Sequence, residues 1–382
     1  MSGIYIHIPF CKQACHYCNF HFSTSMKYKS EIINAILKEI ELQKNYLANK
    51  NIKTIYFGGG TPSLLNEREL NLFFEKINQL FHIEKDAEIT LEANPDDLTL
   101  EKLRQLKSTP INRLSIGVQS FAEIDLKSMN RAHNVKEAES CIQNAQSLGF
   151  NNLTVDLIYG SPSTSNEQWR RNVQKLFDFE IPHLSCYCLT IEPGTALDHF
   201  VKRGKAQPVD DEKSAHQFEV LMQMMESNDY HHYEISNFAK PGNYARHNSN
   251  YWSGVSYLGV GPSAHSFNGK SRQWNIANNA LYLKAIDFDK NNINEKGSRF
   301  EVEILSLKQQ YNEYIMTALR TMWGCNLGKI RTWGDDFEKY FLKSSEVFLK
   351  NGTLKQDRGS FVLTKKGKLL ADNIAMELFF ET

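Results

Sequence analysis

Through its first 190 residues the chain alternates short runs rich in β-branched and aromatic residues with longer stretches of helical periodicity. That alternation restricts it to folds built on a parallel sheet, because parallel neighbours cannot be joined by a hairpin and each return needs a crossover. Six strands are expected: Ile4 to Ile8, Lys53 to Phe57, Glu88 to Leu91, Arg113 to Val118, Leu153 to Ile158 and Leu184 to Leu189, each ending at Pro, Gly, Asn or Ser. The clearest crossover helix starts at Ser30, where Ile32, Ile33, Ile36, Leu37 and Ile40 fall on one stripe and are expected in the core.

Polar residues are spread unevenly over these units. Beyond the expected strand ends lie a cysteine triad, then Gly58-Gly59-Gly60-Thr61-Pro62, Glu92-Ala93-Asn94-Pro95, Gln119-Ser120, Tyr159-Gly160 and Thr190 to Glu192, with Asp156 inside the fifth strand. Parallel sheets bind ligands at the carboxyl ends of their strands, so all six units point chemistry at one rim. Taken singly, each loop is also explained by the need for turn residues.

After Pro208 the alternation stops. A helical segment around His216 to Ser227 leads into an aromatic, Gly-rich stretch from Tyr230 to Phe267, whose composition suits a packed loop region. From about Gln309 the pattern reads helix, helix, hairpin, helix, with the hairpin turn at Asp357-Arg358-Gly359 and a last helix from Lys365. The expected division is 1–205, a connecting region 206–308, and a smaller winged-helix-like α+β domain 309–382.

The 382 residues are 41% apolar and carry 44 Lys plus Arg against 44 Asp plus Glu. With no excess of positive charge, nucleic acid is disfavoured as a partner. No stretch approaches the about 18 apolar residues of a membrane span, and no signal peptide is evident at the start, so a cytoplasmic protein is expected. The seven cysteines, an odd number with three crowded near the N-terminus, do not form the pattern of a secreted disulfide framework.

Cys11, Cys15 and Cys18 have the spacing C-x3-C-x2-C. Thiolates suit iron-sulfur clusters, zinc or copper. Three ligands leave one iron of a four-iron cluster open, whereas structural zinc asks for four; His7, His16 or His21 are available as the fourth, so a zinc-stabilised binding module stands as an alternative. The glycine run lets a ligand approach the backbone, yet lacks the Lys-Ser/Thr pair of a phosphate-binding loop.

Several motifs together resemble the oxygen-independent coproporphyrinogen oxidase group of radical S-adenosylmethionine (SAM) proteins: Tyr5-Ile6-His7-Ile8-Pro9-Phe10-Cys11, the cysteine triad, Gly-Gly-Gly-Thr-Pro, Gln119 in Ser-Ile-Gly-Val-Gln-Ser-Phe, and Asp156 in Val-Asp-Leu-Ile-Tyr-Gly. The resemblance runs over nearly the whole chain. It implies an open, partial (β/α)6 parallel barrel, a 4Fe-4S cluster on Cys11, Cys15 and Cys18, and SAM on the open iron. It further implies that Tyr5 and Tyr17 line the SAM pocket, that Gly59, Gly60 and Thr61 meet its methionine end, and that Glu92, Gln119, Arg131, Asp156 and Thr190 contact it.

Two departures set the chain apart from the oxidases. Where they carry a fourth cysteine, two residues after the third, this chain has Phe20. It also carries His247-Asn248-Ser249-Asn250-Tyr251-Trp252, similar to a signature of the related haem chaperones. That similarity makes His247 a candidate haem ligand, with His265 competing for the role and Tyr251 and Trp252 as apolar wall. The function implied is haem delivery to acceptors such as respiratory, membrane-associated proteins; oxidative decarboxylation of coproporphyrinogen is the alternative.

Overall fold

The computed structural model describes residues 2–287 and 299–381. Its first six strands are β1 (Ser2–Ile8), β2 (Asn51–Gly59), β3 (His82–Ala93), β4 (Arg113–Gln119), β5 (Leu153–Tyr159) and β6 (His183–Cys188). They lie side by side in chain order and every pair is parallel. The returns run through α1 (Lys29–Leu42), α2 (Glu67–Leu80), α3 (Leu100–Lys107), α4 (Glu123–Ser128) with α5 (Val135–Ser147), and α6 (Asn166–Asp178). This is the expected sixfold β/α repeat, and all six strands end at one rim.

Local chemistry explains the helices. In α1, Ile32, Ile33, Ile36 and Ile40 are at most 3% exposed and Leu37 packs at the edge of the same core. Asn66 and Asn134 open α2 and α5 with capping boxes, each closed by a glutamate three residues on, so the helix starts are fixed by otherwise unpaired N–H groups. The core between helices and sheet is continuous from Ile4 and Ile6 through Leu91, Leu114 and Val155 to Leu184.

The sheet does not close on itself. The connecting region 206–308, in which Tyr230 to Phe267 reads from sequence as a packed loop, instead extends it at both edges to twelve strands. Beside β6 lie antiparallel β8 (Asn237–Ala239) and β7 (His231–Glu234). Beside β1 lies β9 (Tyr257–Val260), parallel, followed by antiparallel β10 (His265–Phe267), β11 (Ser271–Asn275) and β12 (Phe300–Ile304). These strands are three to five residues long, and only Phe300–Ile304 alternates apolar with charged residues, so the sequence pattern hides them.

The C-terminal part packs helices Leu307–Leu319, Leu327–Arg331, Asp335–Lys350 and Ala371–Glu377 on a small sheet of β13 (Cys325–Asn326), β14 (Leu354–Asp357) and β15 (Ser360–Leu363). The hairpin turns where expected, with Arg358 at φ 47° and Gly359 at φ 84°, the left-handed pair a two-residue turn requires. Tyr311, Phe341, Phe361 and Leu378 form a separate core. Arg320 ties this part to the sheet, bonding Glu234 of β7 at 3.2 Å and Asp372 at 2.8 Å. All seven cysteines are free thiols, and among the described residues no helix is long and apolar enough to cross a membrane.

Candidate cluster and cofactor site

Pro9 turns the chain out of β1 into the loop that carries the three cysteines. The base of the loop is pinned by two backbone bonds, Cys11 N–H to Ser23 O at 3.0 Å and Ser23 N–H to Pro9 O at 2.9 Å. The glycine turn after β2 lies directly against it. Gly60 N–H donates to Ile8 O (2.9 Å) and Thr61 N–H to Phe10 O (2.7 Å). A Cβ on Gly60 would stand 2.6 Å from the Phe10 carbonyl oxygen, and one on Gly59, at φ 104°, 2.6 Å from the His7 ring. With the amides of Gly60 and Thr61 spent, what this turn offers a ligand is carbonyl oxygen, the partner an ammonium group needs.

Side chains then connect the loop to the rim. Thr61 Oγ1 donates to Cys11 Sγ at 3.4 Å, and Asn94 Nδ2 donates to Thr61 Oγ1 at 3.3 Å. Arg131 donates from Nη1 to Cys15 Sγ at 3.2 Å, and from Nη2 to Asn94 Oδ1 at 2.6 Å and Gly117 O at 2.8 Å. Its Nε is buried without a hydrogen-bond partner. Burial pushes the Cys11 thiol up to about 11, against the Thr61 hydrogen bond, and raises Cys18 as well. Such thiols ionise at neutral pH only against a strong cation, and donors already aimed at two of the sulfurs suit thiolates that carry negative charge. Burial likewise raises the Tyr17 hydroxyl, against the pull of nearby Arg131, so it stays protonated.

Two carboxyls face the inside of the sheet. Glu92 of β3 accepts from Tyr56 Oη at 2.7 Å and from Gly59 N–H at 3.1 Å; burial, with the charge of Asp156, pushes it up to about 7. Asp156 of β5 has Ser115 Oγ at 3.4 Å from both oxygens and is pushed up to about 6 by burial. Buried carboxyls held by hydroxyl and amide donors, with no ion pair among the described residues, are what a cationic ligand would settle. Tyr5 stacks on Tyr56 with ring centroids 6.1 Å apart. Gln119 ends β4 at φ 66°, where the register with β5 slips, and its amide lies with Arg131 over Gly117. Thr190 lies just past β6 with an exposed side chain, apart from these contacts.

The structure thus places the cysteines, Tyr5, Gly59, Gly60, Thr61, Glu92, Gln119, Arg131 and Asp156 at one rim. Tyr56 and Ser115 were not singled out from sequence, and Asn94 was noted only as strand-end punctuation. The signal for Tyr56 was present, since Thr54, Tyr56 and Gly58 alternate with Ile55 and Phe57 at the period of a strand.

His247 requires a correction. It is 2% exposed, with Nδ1 2.8 Å from Thr54 Oγ1, Nε2 2.8 Å from Tyr251 Oη, and its ring stacked on Tyr56 at 5.0 Å. Its backbone N–H donates to Glu88 Oε1 at 2.8 Å. Both ring nitrogens are engaged, so neither is open to an iron. His247 anchors the helix Arg246–Trp252 to β2 and β3, and that helix presents Tyr251 and Trp252 to a cavity of about 950 Å³.

This cavity lies between the cysteine loop and the C-terminal part, with Asn19, Phe20 and His21 in its wall. Phe20 is 68% exposed. On the other flank of the loop a smaller cavity of about 410 Å³ is lined by His16, Tyr17, Met129, Leu189 and Phe200. Among the described residues, no group of three or more His, Cys, Asp or Glu side chains, the cysteine triad included, is drawn together around one metal ion. Three thiols, donors onto sulfur, an unpaired guanidinium N–H and raised carboxyls fit a polynuclear centre that holds an amino-acid ligand.

Residues 5–194 match the Radical SAM superfamily and residues 305–370 the HemN C-terminal domain. The chain is 32% identical over 378 residues to the heme chaperone HemW of Bacillus subtilis, covering 98% of each. It is 31% identical to heme chaperone HemW of Mycobacterium tuberculosis, covering 98% of this chain and 94% of that one. Among solved structures, coproporphyrinogen III oxidase (HemN) of Escherichia coli has a TM-score of 0.84 at 23% identity, covering 99% of this chain and 90% of that one, which establishes the shared fold. The chain therefore belongs to the radical SAM superfamily and, within it, to the family of the HemW proteins.

Proposed function

We propose that this protein is a haem chaperone: it takes one haem into the 950 Å³ cavity beside its cluster loop and hands it to an acceptor protein. The observation that carries the reading is that cavity, whose size suits a porphyrin and whose wall includes Phe20 where the oxidases it resembles have a fourth cysteine. Aromatic faces from Tyr251, Trp252 and Trp333 supply the apolar surface a macrocycle needs.

Cys11, Cys15 and Cys18 would hold a 4Fe-4S cluster, and the residues around it would hold SAM by its amino-acid end. When bound, the pair supplies a sulfonium that can be cleaved by reduction. Glu92 and the carbonyls of the glycine turn would accept from the N–H groups of the amino nitrogen, Arg131 would donate to the carboxylate, and Asp156 would accept from hydroxyls. Tyr17 and the smaller cavity shield the other end of the ligand from water. The protein works in the cytoplasm, and its acceptors include respiratory proteins at the membrane.

The test is anaerobic. Cluster-loaded protein is given haemin in one arm, and coproporphyrinogen with SAM and reductant in the other. Saturable haem binding without porphyrin product supports the chaperone reading; conversion to protoporphyrinogen at a catalytic rate overturns it in favour of the oxidase.

A further inference from the structure

With His247 enclosed, the cavity needs a different iron ligand, and its own wall contains the candidates. Three imidazoles line it: His7, His21 and His265. His7 is committed at both nitrogens, Nδ1 to Tyr5 Oη at 3.2 Å and Nε2 to the His21 carbonyl at 2.9 Å. His21 is committed through Nε2 to Asn279 Oδ1 at 2.8 Å. His265 begins β10, where the ladder pairs it with Trp274 of β11, and its ring stacks on that indole with centroids 6.3 Å apart. It is exposed, and among the described residues it is the one lining imidazole with neither ring nitrogen in a hydrogen bond. Although its surface is open to solvent, partial desolvation by the cavity wall and the nearby Arg272 hold it below the usual histidine range, which favours the neutral form that ligates iron.

The charges in the wall are equally selective. They are Arg272, Glu313 and Lys329. Arg272 is spent on Glu313 in a paired contact, Nε to Oε1 at 2.5 Å and Nη2 to Oε2 at 2.8 Å. Among the described residues Lys329 has no carboxylate partner, and it lies 4.8 Å from the Trp333 ring centre. One uncommitted cation at an aromatic wall is what a propionate requires.

We propose that His265 is the axial ligand of the haem iron and that Lys329 receives a propionate, with β10 and β11 as the platform that fixes the imidazole. This rests on the haem-binding reading above and assigns its residues. Loading would form an iron-nitrogen bond in exchange for a weaker ligand, with no change of oxidation state required.

The experiment uses full-length, cluster-loaded protein titrated with haemin and followed by Soret absorbance and low-temperature EPR. His265→Ala is expected to weaken binding about tenfold or more and to abolish the histidine-ligated spectrum, and free imidazole is expected to restore that spectrum through the vacated position. His247→Gln, if folded by circular dichroism, is expected to keep both. Lys329→Gln is expected to weaken haemin by about threefold to tenfold yet leave the dimethyl ester of the same porphyrin unaffected. An unchanged spectrum and affinity in His265→Ala, or loss of the spectrum in His21→Ala alone, overturns the ligand assignment. Equal effects of Lys329→Gln on acid and ester overturn the propionate contact. If wild-type protein takes up no haem, the chaperone reading itself fails, an outcome distinct from both.

Discussion

The Arg131 guanidinium donates to the Cys15 sulfur at 3.2 Å although 116 residues separate the two in sequence, and its second nitrogen reaches Asn94 on the strand-end loop between them. One cation thus joins the cysteine loop to the rims of β3 and β4. With its Nε buried and unpaired, the same group has donor capacity left for a ligand carboxylate.

Arg131→Gln removes the charge and the planar fork. The SAM concentration needed for half of the cofactor-induced change in the cluster's EPR signal is expected to rise about tenfold or more, read on protein matched for iron and sulfide. An unchanged midpoint would separate Arg131 from the cofactor.

Gly60→Ala places a Cβ 2.6 Å from the Phe10 carbonyl and 2.8 Å from that of Ile8, both backbone atoms that must shift. A loss of about 1–3 kcal/mol in chemical denaturation is expected, with a lower iron content after reconstitution. Wild-type stability and iron content would show that the two loops are not packed as described.

Glu92 carries a pH signature. Burial holds its folded pKa at about 7, against the ordinary glutamate value of 4.5. As pH rises between those values the unfolded chain releases its proton and the folded protein keeps it, so this carboxyl costs the cofactor-free protein stability progressively, with the full cost above pH 7. Glu92→Gln is expected to match wild type at about pH 4 and to exceed it by about 1–3 kcal/mol at about pH 8, measured by denaturation across pH. A difference that does not vary with pH contradicts the environment described.

The two histidines separate fold from function. His247→Ala leaves Thr54 and Tyr251 without their buried partner and is expected to cost about 2–4 kcal/mol. His265→Ala is expected to stay within about 0.5 kcal/mol of wild type in the haem-free protein. Reversed magnitudes in denaturant titrations would reverse the roles assigned here.

Much of this was legible in the sequence for a physical reason. Strands buried on both faces and helices with one apolar stripe leave strong periodic patterns, so β1 to β6 and α1 lie close to where the pattern puts them. The turn at Arg358-Gly359 was legible because only certain residues tolerate two left-handed positions. What escaped was non-local. Strands β7 to β10 are held by their neighbours and not by their own pattern, so Tyr230 to Phe267 read as loop. His247 stood in a recognisable motif, but only the fold shows Thr54 and Tyr251 closing both its nitrogens. The cavity draws His265 from β10, Phe20 from the cysteine loop and Lys329 from the C-terminal part, a convergence that no single stretch of sequence records.

Asn19, Phe20 and His21 follow directly after Cys18 and also form cavity wall, so one loop serves both sites. The most direct test is a haem titration of the same preparation with the cluster intact and after its removal by chelation. Saturation near one haem per chain is expected in the loaded protein, with a half-saturation point that moves at least about threefold once the cluster is gone. Uptake that never saturates, or two superimposable curves, would contradict it.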